Sequence, residues 1–128
     1  MANLGERGNV MGPQPIAPRT QVPPAMIAAA ERVLKLLADG DHAGLAAIAT
    51  AAGAREIAEI AAAVKPGVYT SHEIIATARV NSHHYVKARL SGVNADPFTM
   101  QVRLGEHEGR WVIWDAMNLT GRRGAWTR

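Results

Sequence analysis

Two hydrophobic periods divide this chain. Between Pro24 and Val64 the apolar residues recur at helical spacing; from Tyr69 to Leu119 they alternate. Pro24 suits a first helical turn, where its missing N–H costs nothing. Met26, Ala30, Val33 and Leu37 then fall on one stripe, with Ile27 and Leu34 beside it, and Gly40 stops the helix. Asp41 predicts the N-cap of a short second helix through Leu45 and Ile48, and Gly53 reads as the next break. Ile57, Ile60, Ala61 and Val64 mark a third helix, closed by Pro66-Gly67.

Four alternating runs follow. Ile74, Ala76, Ala78 and Val80 interleave with Glu73, Thr77 and Arg79. His84, Val86, Ala88 and Leu90 interleave with Tyr85, Lys87 and Arg89. Phe98, Met100, Val102 and Leu104 interleave with Thr99, Gln101 and Arg103. Trp111, Ile113, Met117 and Leu119 interleave with Val112 and Trp114. Clean alternation is the mark of an antiparallel sheet with one face covered. Breaks are expected at Asn81-Ser82, at Gly92 to Pro97 and at Gly105 to Gly109. In the last hairpin, setting Leu104 opposite Trp111 also pairs Val102 with Ile113 and Phe98 with Met117, all apolar. Matching Val80 to His84 in the first hairpin demands an odd loop or a bulge. The predicted fold is α+β: about three helices on the concave face of a curved, at least four-stranded antiparallel sheet.

The flanks differ in character. Residues 1–23 hold Pro13, Pro15, Pro18 and Pro23 and few large apolar groups, and read as a disordered proline-rich arm. Residues 24–120 form the domain, and 121–128 a basic tail ending Ala-Trp-Thr-Arg. A chain of 128 residues can bury a core without staples. It has no cysteine, which excludes disulfides and thiolate chemistry and fits the cytoplasm. The net charge of +3 is small. From Lys65 onward 9 basic and 5 acidic residues leave +4, short of the dense basic stripe of a nucleic-acid binder. No apolar run is long enough for a membrane span, and the N-terminus lacks the apolar segment of a signal peptide.

The run Leu37-Ala38-Asp39-Gly40-Asp41 before a Leu/Ala-rich helix, and Gly109-Arg110-Trp111-Val112-Ile113, resemble two motifs of the nuclear transport factor 2-like superfamily. The first is that superfamily's opening helical hairpin; the second is the Gly-x-Trp-x-Ile signature of its last strand. The resemblance covers residues 24 to 120, with a shorter link between helices and sheet. It implies a cone-shaped fold with a hydrophobic pocket, hosting isomerases such as ketosteroid isomerase, limonene epoxide hydrolase and polyketide cyclases, and many binding or dimerising domains. Fold alone does not choose among these.

Period places Asp115 with Trp111, Ile113 and Met117, facing the covered side, where an apolar setting would suit a general base. His84, His72 and Tyr69 are candidates to orient or donate beside it. Phe98, Met100, Trp111, Ile113 and Met117 would line the pocket. His83 and His84 are neighbours in a strand and point to opposite faces, and no His-x-His or His-x-x-x-His spacing occurs, so no metal site is expected. His42 and His107 read as surface. The other sheet face carries Tyr85, Arg89, Arg103 and Trp114, aromatic and arginine groups of the kind enriched in interfaces, and is the expected dimer surface. The leading expectation is a small binding or interaction domain, with an apolar ligand or a filled core, dimerising through its sheet without a cofactor. The alternative is a cofactor-independent isomerase, dehydratase, cyclase or hydrolase with Asp115 as base.

Overall fold

The computed structural model describes residues 22–120. The arm and the tail predicted at either end lie almost wholly outside them. The order is three helices, α1 (Pro24–Asp39), α2 (His42–Ala47) and α3 (Ala51–Ala63), then four strands, β1 (Ser71–Val80), β2 (His83–Gly92), β3 (Ala95–His107) and β4 (Arg110–Asn118). The strands form one antiparallel, curved, open sheet in the order β1-β2-β3-β4. This is the α+β arrangement expected from the two periods. Among the described residues no helix is long and apolar enough to cross a membrane.

The helix ends follow their local chemistry. Gly40 closes α1 in the left-handed conformation, with its own N–H and that of Asp41 returning to the carbonyls of Leu37 and Leu36. Asp41 caps α2 by accepting from the Gly44 N–H at 2.8 Å. Thr50 caps α3 in the same way, accepting from the Gly53 N–H at 3.0 Å. Gly53 therefore lies inside the first turn of α3 and is not a break; the chain reverses at Ile48 to Thr50. The requirement for glycine there is steric. A β-carbon at position 53 would stand 2.2 Å from the Ile113 carbonyl oxygen, so helix and strand meet backbone to backbone.

Met26, Ala30, Val33, Leu34 and Leu37 of α1 and Ile57, Ile60 and Ala61 of α3 are buried against Val86, Ala88 and Leu90 of β2, Phe98, Met100, Val102 and Leu104 of β3 and Ile113 of β4. Complete burial of each of the larger side chains among these (Val, Leu, Ile, Phe, Met) is worth about 1.5–3 kcal/mol, so this layer supplies most of the drive to fold.

Two-residue turns join the strands at Asn81-Ser82, Val93-Asn94 and Glu108-Gly109. The left-handed Glu108 and Gly109 match the twist of a tight hairpin. The loops are shorter than the sequence breaks suggest, because Asp96-Pro97 and Gly105 continue inside β3. Pro97 is tolerated because the β2–β3 register shifts beside it.

Bulges decide the faces. In β1 the register shifts at Ile75. Ile74 lies opposite Ala88 as expected, but beyond the bulge Thr77 and Arg79 oppose Val86 and His84 on the inner side. Ala76, Ala78 and Val80 turn outward, and Val80 is exposed. In β4 Leu104 pairs with Ile113, not Trp111, and the register shifts at Trp114. Parity therefore holds from Trp111 to Ile113 and inverts afterwards: Ala116 faces the core opposite Val102, while Asp115 and Met117 join Arg103 and Gln101 outside.

The two sheet edges are finished differently. Ile48 to Thr50 bridge to β4, with Ile113 N–H to the Ile48 carbonyl at 2.8 Å and Thr50 N–H to the Ile113 carbonyl at 2.9 Å. Glu56 of α3 accepts from the Ala116 N–H at 3.0 Å. The β4 edge is thus closed by backbone and side chain. β1 is the opposite edge, and its strand neighbour is β2.

Candidate functional site

The four proposed catalytic residues do not converge. Asp115 lies on the outer face, and the cause is the Trp114 bulge, which moves it from the side of Ile113 to that of Arg103. Its carboxylate accepts from the Arg103 guanidinium at 2.7 Å, with both side chains roughly one-third exposed. His84 is buried on the inner face, 6% exposed, with its ring edge-on to Trp111 at 5.5 Å. Burial first, then the charge of Arg79 and then His83, lower its pKa below the usual imidazole value. His72 lies opposite Leu90, six residues along β2 from His84 and so roughly 20 Å away at the other end of the sheet. Tyr69 precedes β1, packs on Phe98 at 6.4 Å and donates its hydroxyl to the Asp96 carbonyl at 3.4 Å.

The expected pocket lining divides in the same way. Phe98, Met100 and Ile113 are buried in the core beneath α1 and α3, with Trp111 half-buried beside them. Met117 is on the opposite side and 45% exposed, again because of the bulge. Two cavities among the described residues open at the surface. One, of about 190 Å³, lies between the end of α1 and Tyr69 to His72. A larger one, of about 340 Å³, lies between α3 and β4 and is lined by Glu56, Glu59, Ile60, Ala116, Met117 and Asn118.

The outer sheet face is where functional groups do gather. Cross-strand partners share a face, which sets Tyr85, Arg103 and Asp115 in one row and Lys87, Gln101 and Met117 in the next. Arg89 pairs with Glu73 of β1, its guanidinium 3.7 Å from the carboxylate. Trp114, the bulged residue, lies between two histidines: His83 stacks at 5.0 Å with a 34° tilt, and His107 meets the indole edge-on at 5.8 Å. Arg103 bridges this group, reaching His83 Nδ1 at 3.4 Å as well as Asp115. Beneath them is Gly105, where a β-carbon would come within 2.3 Å of the His83 ring and 2.7 Å of the Trp114 indole nitrogen. The buried Arg103 Nε and Trp114 Nε1 find no acceptor among the described residues.

Tyr85, Arg89, Arg103 and Trp114 therefore share the face assigned to them by alternation. The roles of His83, His107 and Gly105 in supporting Trp114 are not evident from alternation alone. Gly105 inside an otherwise regular strand is the available signal, since such a glycine often marks a close approach. Among the described residues no cluster of three or more His, Cys, Asp or Glu side chains could hold a metal ion. No family model, curated protein or solved structure matches this chain.

Proposed function

We propose that this domain is an interaction module that dimerises through the outer face of its sheet, within a fold resembling the nuclear transport factor 2-like superfamily. The observation that carries the reading is the ordered platform of His83, Trp114, His107, Arg103 and Asp115 on the sheet face that none of the described helices covers. Immobilised aromatic and arginine side chains are the groups that dominate association energies.

A second copy suits this face better than a polyanion does. Arg103 is matched to Asp115 and Arg89 to Glu73, so phosphates would have to displace carboxylates already in place. A two-fold copy offers both charge signs back to the same pattern. The dimensions also suffice. Four strands about 4.8 Å apart and roughly 30 Å long give a face of about 600 Å² before side-chain relief. That is comparable with the roughly 800 Å² each partner buries in a standard interface. The enzymatic alternative has less support, because Tyr69 and His72 share a cavity that neither His84 nor Asp115 lines, and Asp115 is held on the outer face in an ion pair with Arg103.

Sedimentation equilibrium tests this reading. The intact chain should have the mass of a dimer. Tyr85→Lys and Arg89→Glu should each weaken association about tenfold, the effect of losing roughly 1.4 kcal/mol, with the circular dichroism melt little changed. A monomeric intact chain, or a dimer indifferent to both substitutions, refutes it.

A further inference from the structure

His83 and Arg103 make a contact that only one protonation state of the imidazole allows. The His83 ring stands over Gly105 and against the Trp114 indole, 5.0 Å between centroids. Arg103 brings a guanidinium nitrogen to 3.4 Å from His83 Nδ1. A guanidinium donates N–H groups and has no acceptor. Nδ1 is therefore the accepting atom, and the ring is neutral with its proton on Nε2. The same guanidinium donates to Asp115 at 2.7 Å, so Arg103 ties the imidazole of β2 to the carboxylate of β4.

The surroundings leave that tie open to acid. From β1, Val80 lies opposite His83, while Arg79 pairs with His84 on the inner side. On β2 itself, Tyr85 follows on the same face, opposite Arg103. From β3 come Arg103 and Gly105, and from β4 Trp114 and Asp115. Once protonated, Nδ1 carries a hydrogen and cannot accept. Two cations then face each other at 3.4 Å beside a carboxylate that Arg103 already holds. An imidazolium still attracts an indole face, so acid removes the tie to Arg103 and not the ring's place near Trp114. His107, across Trp114, differs: its Nε2 is 3.7 Å from the Glu108 carboxylate, so a proton there meets an anion.

We infer that His83 is a proton latch on the outer sheet face: neutral, it holds Arg103 beside Trp114 and Asp115; protonated, it releases Arg103 and weakens association through that face. The release is a property of the single chain, whereas its effect on association rests on the dimerisation proposed for this face. Charge works in the same direction. Over its centre the face sets Lys87, Arg89 and Arg103 against Glu73 and Asp115. A protonated His83 adds a cation to that excess, and a second copy brings the same excess to the contact.

The test has two arms. Long-range ¹H–¹⁵N spectra of the histidine rings, on the intact chain diluted to monomer, should show a bare Nδ1 on His83 at pH 7.5. Titration across the imidazole range of about pH 8 to 5 should protonate that nitrogen and quicken hydrogen exchange at the Arg103 guanidinium, against the general slowing of exchange in acid. In sedimentation equilibrium the dimer dissociation constant should rise about tenfold from pH 7.5 to pH 5.5. His83→Asn, whose side-chain oxygen accepts without titrating, should keep one constant at both values, and His107→Gln should retain the full dependence. A proton on Nδ1 at pH 7.5, an Arg103 guanidinium whose exchange does not quicken in acid, or a His83→Asn dimer that weakens as much as the intact one overturns the latch. A chain that is monomeric at both pH values refutes the dimer, and the ring spectra and Arg103 exchange then decide the release on their own.

Discussion

His84 shows how one side chain can be read for both structure and pH response. It sits on the inner face with Leu104 and Ile113, its ring edge-on to Trp111 and the guanidinium of Arg79 across the ladder. Burial and the neighbouring cation both oppose protonation. The folded protein thus binds fewer protons at this site than the unfolded chain, and stability rises with pH there. The contribution is fully present above the unfolded pKa of about 6.5. It is lost progressively as pH falls through that value toward the lower folded one. The urea midpoint should therefore drop between pH 7.5 and pH 5, and His84→Phe should show a smaller drop. Equal slopes in the two proteins would remove His84 from the account.

At the scale of elements, the decisive devices are three register shifts. Helical spacing located α1 almost to the residue and the later turns of α3 but not its start, and alternation located all four strands, because each period reports one buried side. A bulge adds one residue and reverses every face beyond it; the consecutive apolar residues Ile74-Ile75-Ala76 and Val112-Ile113-Trp114 interrupt the alternation there but do not say which residue is the extra one. That is why Asp115 and Met117 were expected inside and stand outside, whereas Tyr85, Arg89 and Arg103, before any shift, stand where alternation puts them. Gly53 misleads for a similar reason: its meaning is a tertiary contact with the Ile113 carbonyl, which local sequence does not contain. The β4 edge gives a direct check on these devices. Glu56→Ala should cost about 0.5–1.5 kcal/mol in chemical denaturation and speed hydrogen exchange at Ala116. Glu56→Gln, which keeps an accepting oxygen, should retain most of both. Equal behaviour of the two variants would mean that the contact contributes little beyond helix packing.

At the scale of the molecule, an open sheet can associate by its face or by its edge, and these make opposite demands. Face pairing buries Tyr85, Arg103 and Trp114 and leaves the backbone of β1 untouched. Edge pairing would extend the sheet past β1 and tie up the alternate amides that point away from β2. β4 is excluded from edge pairing over Ile113 to Ala116, since Ile48, Thr50 and Glu56 already hold its backbone groups. β1, ten residues long with neither lysine nor proline, has no comparable cover in its sequence. Hydrogen exchange separates the two arrangements, because an amide pointing to solvent from an edge strand exchanges through small local openings. In a face-paired dimer, alternate amides of Ser71–Val80 should exchange rapidly at every protein concentration, while the ring resonances of Tyr85 shift as the dimer fills. Protection of the β1 amides rising with concentration, with the Tyr85 ring unchanged, would assign the association to the edge. The platform around Trp114 would then be a monomer's surface.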